Sequence, residues 1–243
     1  QSALSAVSLA GQVQFVQILF IFAIIIGTSM FAAQYWGKGD KETVEMMFAF
    51  VLKLSVGISL IFWIASAFFP TYIMRIFTSE YDLIQKGAEY LRVVGLSYLF
   101  VGISEMYLCI MKNCGKAFIS MVISSVSVVM NIVLNAILIF GYFGAPKMGI
   151  AGAALATVIS KGFETAWLVF LSFRKDSIRL KTKYLVRTNK QLQKDFWKHT
   201  LPVFGNQMVW GIGFTMYSVI MGHLGNDAVA ANSIANIAKN LIS

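Results

Sequence analysis

AFISMVISSVSVVMNIVLNAILIF, residues 117–140, carries no charged side chain, and none appears between Lys116 and Lys147. At 1.5 Å of rise per residue, about 20 apolar residues cross the ~30 Å hydrocarbon core of a bilayer, so this run is long enough to span it as a helix. Windows of the same kind occupy 3–34, 44–69, 84–111, 148–173 and 197–223; the quoted one extends to 143, and a seventh begins near Asp227 and runs to Ser243. The predicted fold class is all-α, a polytopic membrane helical bundle.

Composition points the same way. Charged residues are 13% of the chain and apolar residues 58%, with a mean hydropathy of +0.71; a soluble domain carries about a quarter charged residues. The net charge of +9 would suggest a nucleic-acid partner in a soluble protein, but most basic residues lie between the apolar windows. The longest connection holds Arg174, Lys175, Arg179, Lys181, Lys183, Arg187, Lys190, Lys194 and Lys198 against Asp176 and Asp195. Lysine and arginine in short loops mark the cytoplasmic side, and Lys38, Lys41, Lys112 and Lys116 fall in loops that alternate to that same side. The expected partners are the lipid bilayer and small organic molecules, with no nucleic acid. A cysteine introduced between Arg174 and Lys198 should react with impermeant thiol reagents only from the cytoplasm, and labelling from outside in intact cells would reverse this orientation.

Chemistry-bearing motifs are scarce. No phosphate-binding glycine loop or HExxH is present, and His199 and His223 stand at opposite ends of one window, so no enzyme activity, cofactor or metal is expected. Cys109 and Cys114 sit near a cytoplasmic helix end with no Cys or His nearby in sequence, and read as packing residues.

The two ends of the chain resemble each other. Over Ser2 to Ala10 and Asp227 to Ala235, Ala3, Ala6, Ser8 and Ala10 match Ala228, Ala231, Ser233 and Ala235. Six windows separate the two starts, and an even number gives both copies the same orientation. A two-lobed parent is expected, of which this chain, opening on Gln1 and stopping in an apolar run, is a window. The divisions are helices of a first lobe at 1–173, a basic linker at 174–196 and the start of a second lobe at 197–243. A monomer is expected, although nothing in the sequence sets the oligomeric state.

Three groups of residues carry a family resemblance. They are Gly27 to Asp40 with Gln34, Gly37 and Gly39; Asn131, Asn135 and Gly141 followed by Pro146, Gly149, Gly152, Ala153, Ala154, Ala156 and Thr157; and Leu201-Pro202, Trp210-Gly211 with Gly213, and Leu224-Gly225 with Ala228, Ala230 and Ala231. Their order and spacing resemble the multidrug and toxic compound extrusion (MATE) family, from about its second helix into its eighth. The resemblance implies twelve helices in two lobes around a cleft, in a multi-pass protein of the inner (plasma) membrane. It further implies export of organic, cationic drugs or metabolites in exchange for sodium ions or protons by alternating access. Several members of that family carry Asn and then an acid at the places of Asn131 and Asn135, where this chain has Asn at the second.

Ionisable groups in apolar helices are functional candidates because they are costly there. Glu105 is one, either an ion or substrate ligand or a partner to a neighbouring helix. Lys161 and Glu164 are three apart on one helix face and read as a structural pair, or a gating one. Asn131 and Asn135 share a face at i,i+4 and offer amide oxygens to a cation or substrate, or plain bonds between helices. Thr157 either adds a hydroxyl to the cleft or bonds its own backbone. Asn206, Gln207 and Trp210 are the polar and aromatic groups of the 197–223 window, Trp210 either offering a ring to a flat cation or facing lipid or packing as an ordinary membrane aromatic. The small residues Gly149, Gly152, Ala153 and Ala156 predict close helix packing. Two alternatives stand beside export: a lipid-linked precursor flippase of the same superfamily, which should carry cleft arginines, and a heptahelical receptor, which should show no repeat.

Overall fold

The computed structural model describes residues 2–142, 146–173, 183–184, 189–225, 227, 229–233 and 235. These form α1 (Ser2–Gly37), α2 (Lys41–Phe68), α3 (Pro70–Phe77), α4 (Tyr81–Asn113), α5 (Ala117–Phe140), α6 (Ile150–Ser172) and α7 (Lys190–His223), with no strand among the described residues. Most of the 174–196 linker and the end of the seventh window lie outside the described residues.

Helix ends follow local chemistry. Gly39 supplies a positive φ of 77°, and the Asp40 carboxylate then caps α2, accepting from the Thr43 hydroxyl at 2.6 Å and amide at 3.0 Å. Those two bonds hold the Asp40 carboxyl below the usual carboxylate range. Gly141, at φ 76°, closes α5. Asn189 accepts from the amides of Gln191 and Leu192, so α7 opens at Lys190, inside the residues expected to form the linker.

α4 is the hub, packing against α1, α2, α3 and α6; α5 sits at the edge against α6, and α7 lies along α1. Five helices, α1, α2, α4, α5 and α6, are long and apolar enough to cross a membrane. The sixth predicted span forms one continuous helix in α7, but Thr200, Asn206, Gln207 and Thr215 dilute its apolar content, and it is not among those five. The bilayer's imprint is clearest on α5, whose exposed positions include Phe118, Val128, Val129 and Ile132 while its buried ones are Ser120, Ile123 and Ser127. Lipid is as apolar as leucine, so the polar side turns inward.

Of the two glycines predicted to pack helices closely, Gly152 does so, whereas Gly149 caps α6 at φ 53° with nothing within 4 Å of an added Cβ; other glycines make close contacts as well. A Cβ on Gly152 would lie 2.7 Å from the Leu138 carbonyl oxygen, so α5 and α6 touch backbone to backbone there. Gly102 similarly lets Ser59 of α2 approach α4. Gly27 of α1 admits Thr200 of α7, while Gly211 and Gly222 of α7 admit Leu19 of α1 and the Phe77 carbonyl of α3.

Pro70–Phe77 was not anticipated as a helix. Pro70 fixes φ at the first helical position, and Phe69, at φ −124° and ψ 35°, breaks the chain between α2 and α3. Pro70, Met74 and Phe77 recur at helical spacing and are buried.

Candidate functional site

Between α5 and α6 runs a seam of polar side chains. The Asn135 amide donates to Asn131 Oδ1 at 2.9 Å, and the Asn131 amide donates to Ser160 Oγ at 3.1 Å and Thr157 Oγ1 at 3.5 Å. Thr157 donates to the Ala153 carbonyl at 3.1 Å, the backbone bond foreseen for its hydroxyl, while the same oxygen accepts from Asn131. Ser127 continues the seam to the Ser160 carbonyl at 3.1 Å. Amides stranded in hydrocarbon would each cost several kcal/mol, roughly 2–7 depending on the reference state. Here both are half-buried and partnered, Asn131 with α6 and Asn135 with Asn131.

Further along the same interface, Lys161 Nζ meets Glu164 Oε2 at 2.7 Å, with the Glu164 side chain fully buried and that of Lys161 28% exposed. Ser124 lies 3.4 Å from the other Glu164 oxygen. Lys161 also lines a pocket of about 130 Å³ between α1, α4 and α6, together with Gln14, Phe22, Val101 and Glu105. The structure thus brings Glu105, Lys161 and Glu164 into one electrostatic neighbourhood, in which the lysine stands among two acids.

Asn206, Gln207 and Trp210 belong elsewhere. They lie on α7, which packs against α1 and α3 rather than joining the α5–α6 seam. Asn206 is exposed and Gln207 half-buried. Trp210 stacks on Phe214 at 5.9 Å and 12° and approaches Phe15 of α1 at 6.0 Å, leaving it 60% exposed. An apolar pocket of about 210 Å³ lies at the same contact, lined by Val16, Leu19, Met208 and Thr215 among others.

Sequence reasoning missed Gln17. It is fully buried at the junction of α1, α2 and α4, and its amide donates to Ser59 Oγ at 3.0 Å and the Tyr98 carbonyl at 2.9 Å. The argument that singled out Asn131, an amide in an apolar helix, applies equally to Gln14 and Gln17.

The family model described as MatE matches residues 1–137. Among curated relatives, a "Probable multidrug resistance protein NorM" of Thermotoga maritima is 26% identical over 244 residues, covering 98% of this chain and 51% of that protein. "Probable multidrug resistance protein YoeA" of Bacillus subtilis is 27% identical over 238 residues, covering 96% and 51%. The chain spans about half the length of the curated relatives it matches. Among solved structures, an inward-facing multidrug resistance MATE family transporter superposes with a TM-score of 0.81 at 22% identity, over 96% of this chain and 52% of that one. The MATE multidrug transporter DinF-BH, solved as a complex, superposes at 0.84 and 20% identity, over 98% and 52%. At such identities these structures establish the fold.

Proposed function

This chain belongs to the MatE family, and from that premise we propose that it forms most of the first lobe, and the beginning of the second, of a secondary active exporter of organic cations driven by sodium ions or protons. The observation that carries the reading is the seam of Asn131, Asn135, Thr157 and Ser160 within otherwise apolar helices. Polar networks are expensive to keep in a membrane bundle, and this one supplies neutral oxygens of the kind that bind sodium. Because an amide neither takes up nor releases a proton, Asn135 serves as an oxygen ligand, and proton coupling would need an acid such as Glu105. Relatives named as multidrug resistance and multidrug export proteins favour organic substrates. The arginine-lined cleft of a flippase has no counterpart in the polar groups described here, and the family match removes the receptor alternative.

Glu105 is the proposed meeting point for the substrate's positive charge. In cells expressing the full-length protein, Glu105→Gln should reduce efflux of a cationic dye at least about tenfold per folded molecule, the scale of a lost charge contact in a partly desolvated site. Glu164→Gln should change efflux per folded molecule less, because Glu164 is engaged by Lys161. Unchanged efflux for Glu105→Gln at equal expression would remove Glu105 from the site.

A further inference from the structure

We propose that the outer edge of the bundle, where α3 meets the first turns of α4, binds the headgroup of an ethanolamine phospholipid. α3 has eight residues, about 12 Å of helix, too short to cross a bilayer. It buries Pro70, Met74 and Phe77 and exposes Tyr72 and Ile76, with the Arg75 guanidinium 5.9 Å from the Tyr72 ring. An apolar face with aromatics and an arginine is the composition of a helix lying in the membrane interface. It lies at the end of the bundle opposite Lys38, Lys112, Lys116 and Lys194, and therefore in the outer leaflet.

Beside α3 opens a pocket of about 250 Å³, whose polar lining is Thr71, Tyr81, Gln85, Glu89 and Arg92. Gln85, Glu89 and Arg92 form one exposed stripe of α4 at i, i+4 and i+7. Among the described residues, neither Glu89 nor Arg92 is in an ion pair. α4 enters the membrane from Tyr81, so Arg92 stands three residues, about 4.5 Å, deeper than Glu89. An ethanolamine phospholipid presents its charges in that order. The phosphate lies next to the acyl chains, within reach of the guanidinium, whose planar fork suits phosphate oxygens. The primary ammonium lies further out on a two-carbon arm, where Glu89 accepts its hydrogen bonds. Choline has no N–H to offer that carboxylate, and glycerol brings no positive charge to it.

The test uses the full-length protein, purified, stripped of lipid and offered equal amounts of ethanolamine, choline and glycerol phospholipids with identical acyl chains. Retained lipid is counted by native mass spectrometry. The wild type should retain the ethanolamine lipid over the other two by about three- to fivefold, the scale of one partly exposed charge contact. Glu89→Gln should erase that preference while keeping phospholipid bound, and Arg92→Gln should lower retention of all three. Equal retention by the wild type, an undiminished preference in Glu89→Gln, unchanged retention in Arg92→Gln, or displacement of the lipid by inorganic phosphate would each overturn the proposal.

Discussion

Glu164→Ala is expected to destabilise the folded protein by about 3 kcal/mol, the lower end of the range for removing one partner of a buried ion pair. The lower end applies because the Lys161 side chain is 28% exposed and keeps some solvation, whereas Glu164 has none. What is lost is the 2.7 Å contact to Lys161 and the neighbouring Ser124 hydroxyl; what remains is a lysine whose nearby acid is Glu105, which shares its pocket without an ion pair to it. Replacing both partners, Lys161→Met with Glu164→Leu, should return stability to within about 1 kcal/mol of the wild type, since a buried pair and a well-packed apolar pair are often close in free energy. Thermal unfolding of the purified full-length variants measures both. A double variant as unstable as Glu164→Ala would mean that the acid matters for something other than holding the lysine.

Gly152→Leu should cost about 3 kcal/mol, at the upper end for an overpacked contact. The first carbon added would stand 2.7 Å from the Leu138 carbonyl oxygen and 2.9 Å from its carbon, and backbone cannot rotate aside as a side chain can. α5 would have to leave α6, and the Asn131–Ser160 and Ser127–Ser160 bonds would go with it. The control is Gly213→Ala on α7, where nothing lies within 4 Å of an added Cβ. It should fall within about 0.5 kcal/mol of the wild type, as surface substitutions do. Equal effects of the two variants in the same unfolding assay would mean that the α5–α6 contact is looser than it stands here.

These two sites also show what the sequence revealed. The Lys161–Glu164 pair was legible because both partners sit one turn apart on one helix, and no tertiary information was needed. The Asn131 partners, Thr157 and Ser160, lie 26 and 29 residues away and depend on the register of α5 against α6. Thr157 was singled out for its own hydroxyl, whereas Ser160 carried no signal until α5 and α6 were brought together. Spans were legible because a bilayer imposes length and apolarity together. α3 was not, since five of its eight residues, Tyr72, Ile73, Met74, Ile76 and Phe77, are apolar and mask the period of the three that are buried. The placement of Trp210 was equally hidden: its neighbours Phe15 and Phe214 are ordinary aromatics until α7 is laid along α1. Nothing local separates Gln17 from Gln12 and Gln14 on the same helix; its burial depends on α2 and α4 packing over α1, which supply Ser59 and the Tyr98 carbonyl as its partners.

The claim at the centre of this account is that the α5–α6 seam couples export to an ion, and liposomes containing the full-length protein test it. With a cationic dye inside and an imposed sodium or pH gradient, the wild type should export dye only when a gradient is present. Asn135→Asp introduces the acid found in some relatives at a half-buried position, where burial favours the protonated form. It should therefore shift the pH or sodium dependence of export while leaving thermal stability within about 1 kcal/mol. Dye movement indifferent to either gradient, or an Asn135→Asp protein with the wild-type ion dependence, would contradict the account.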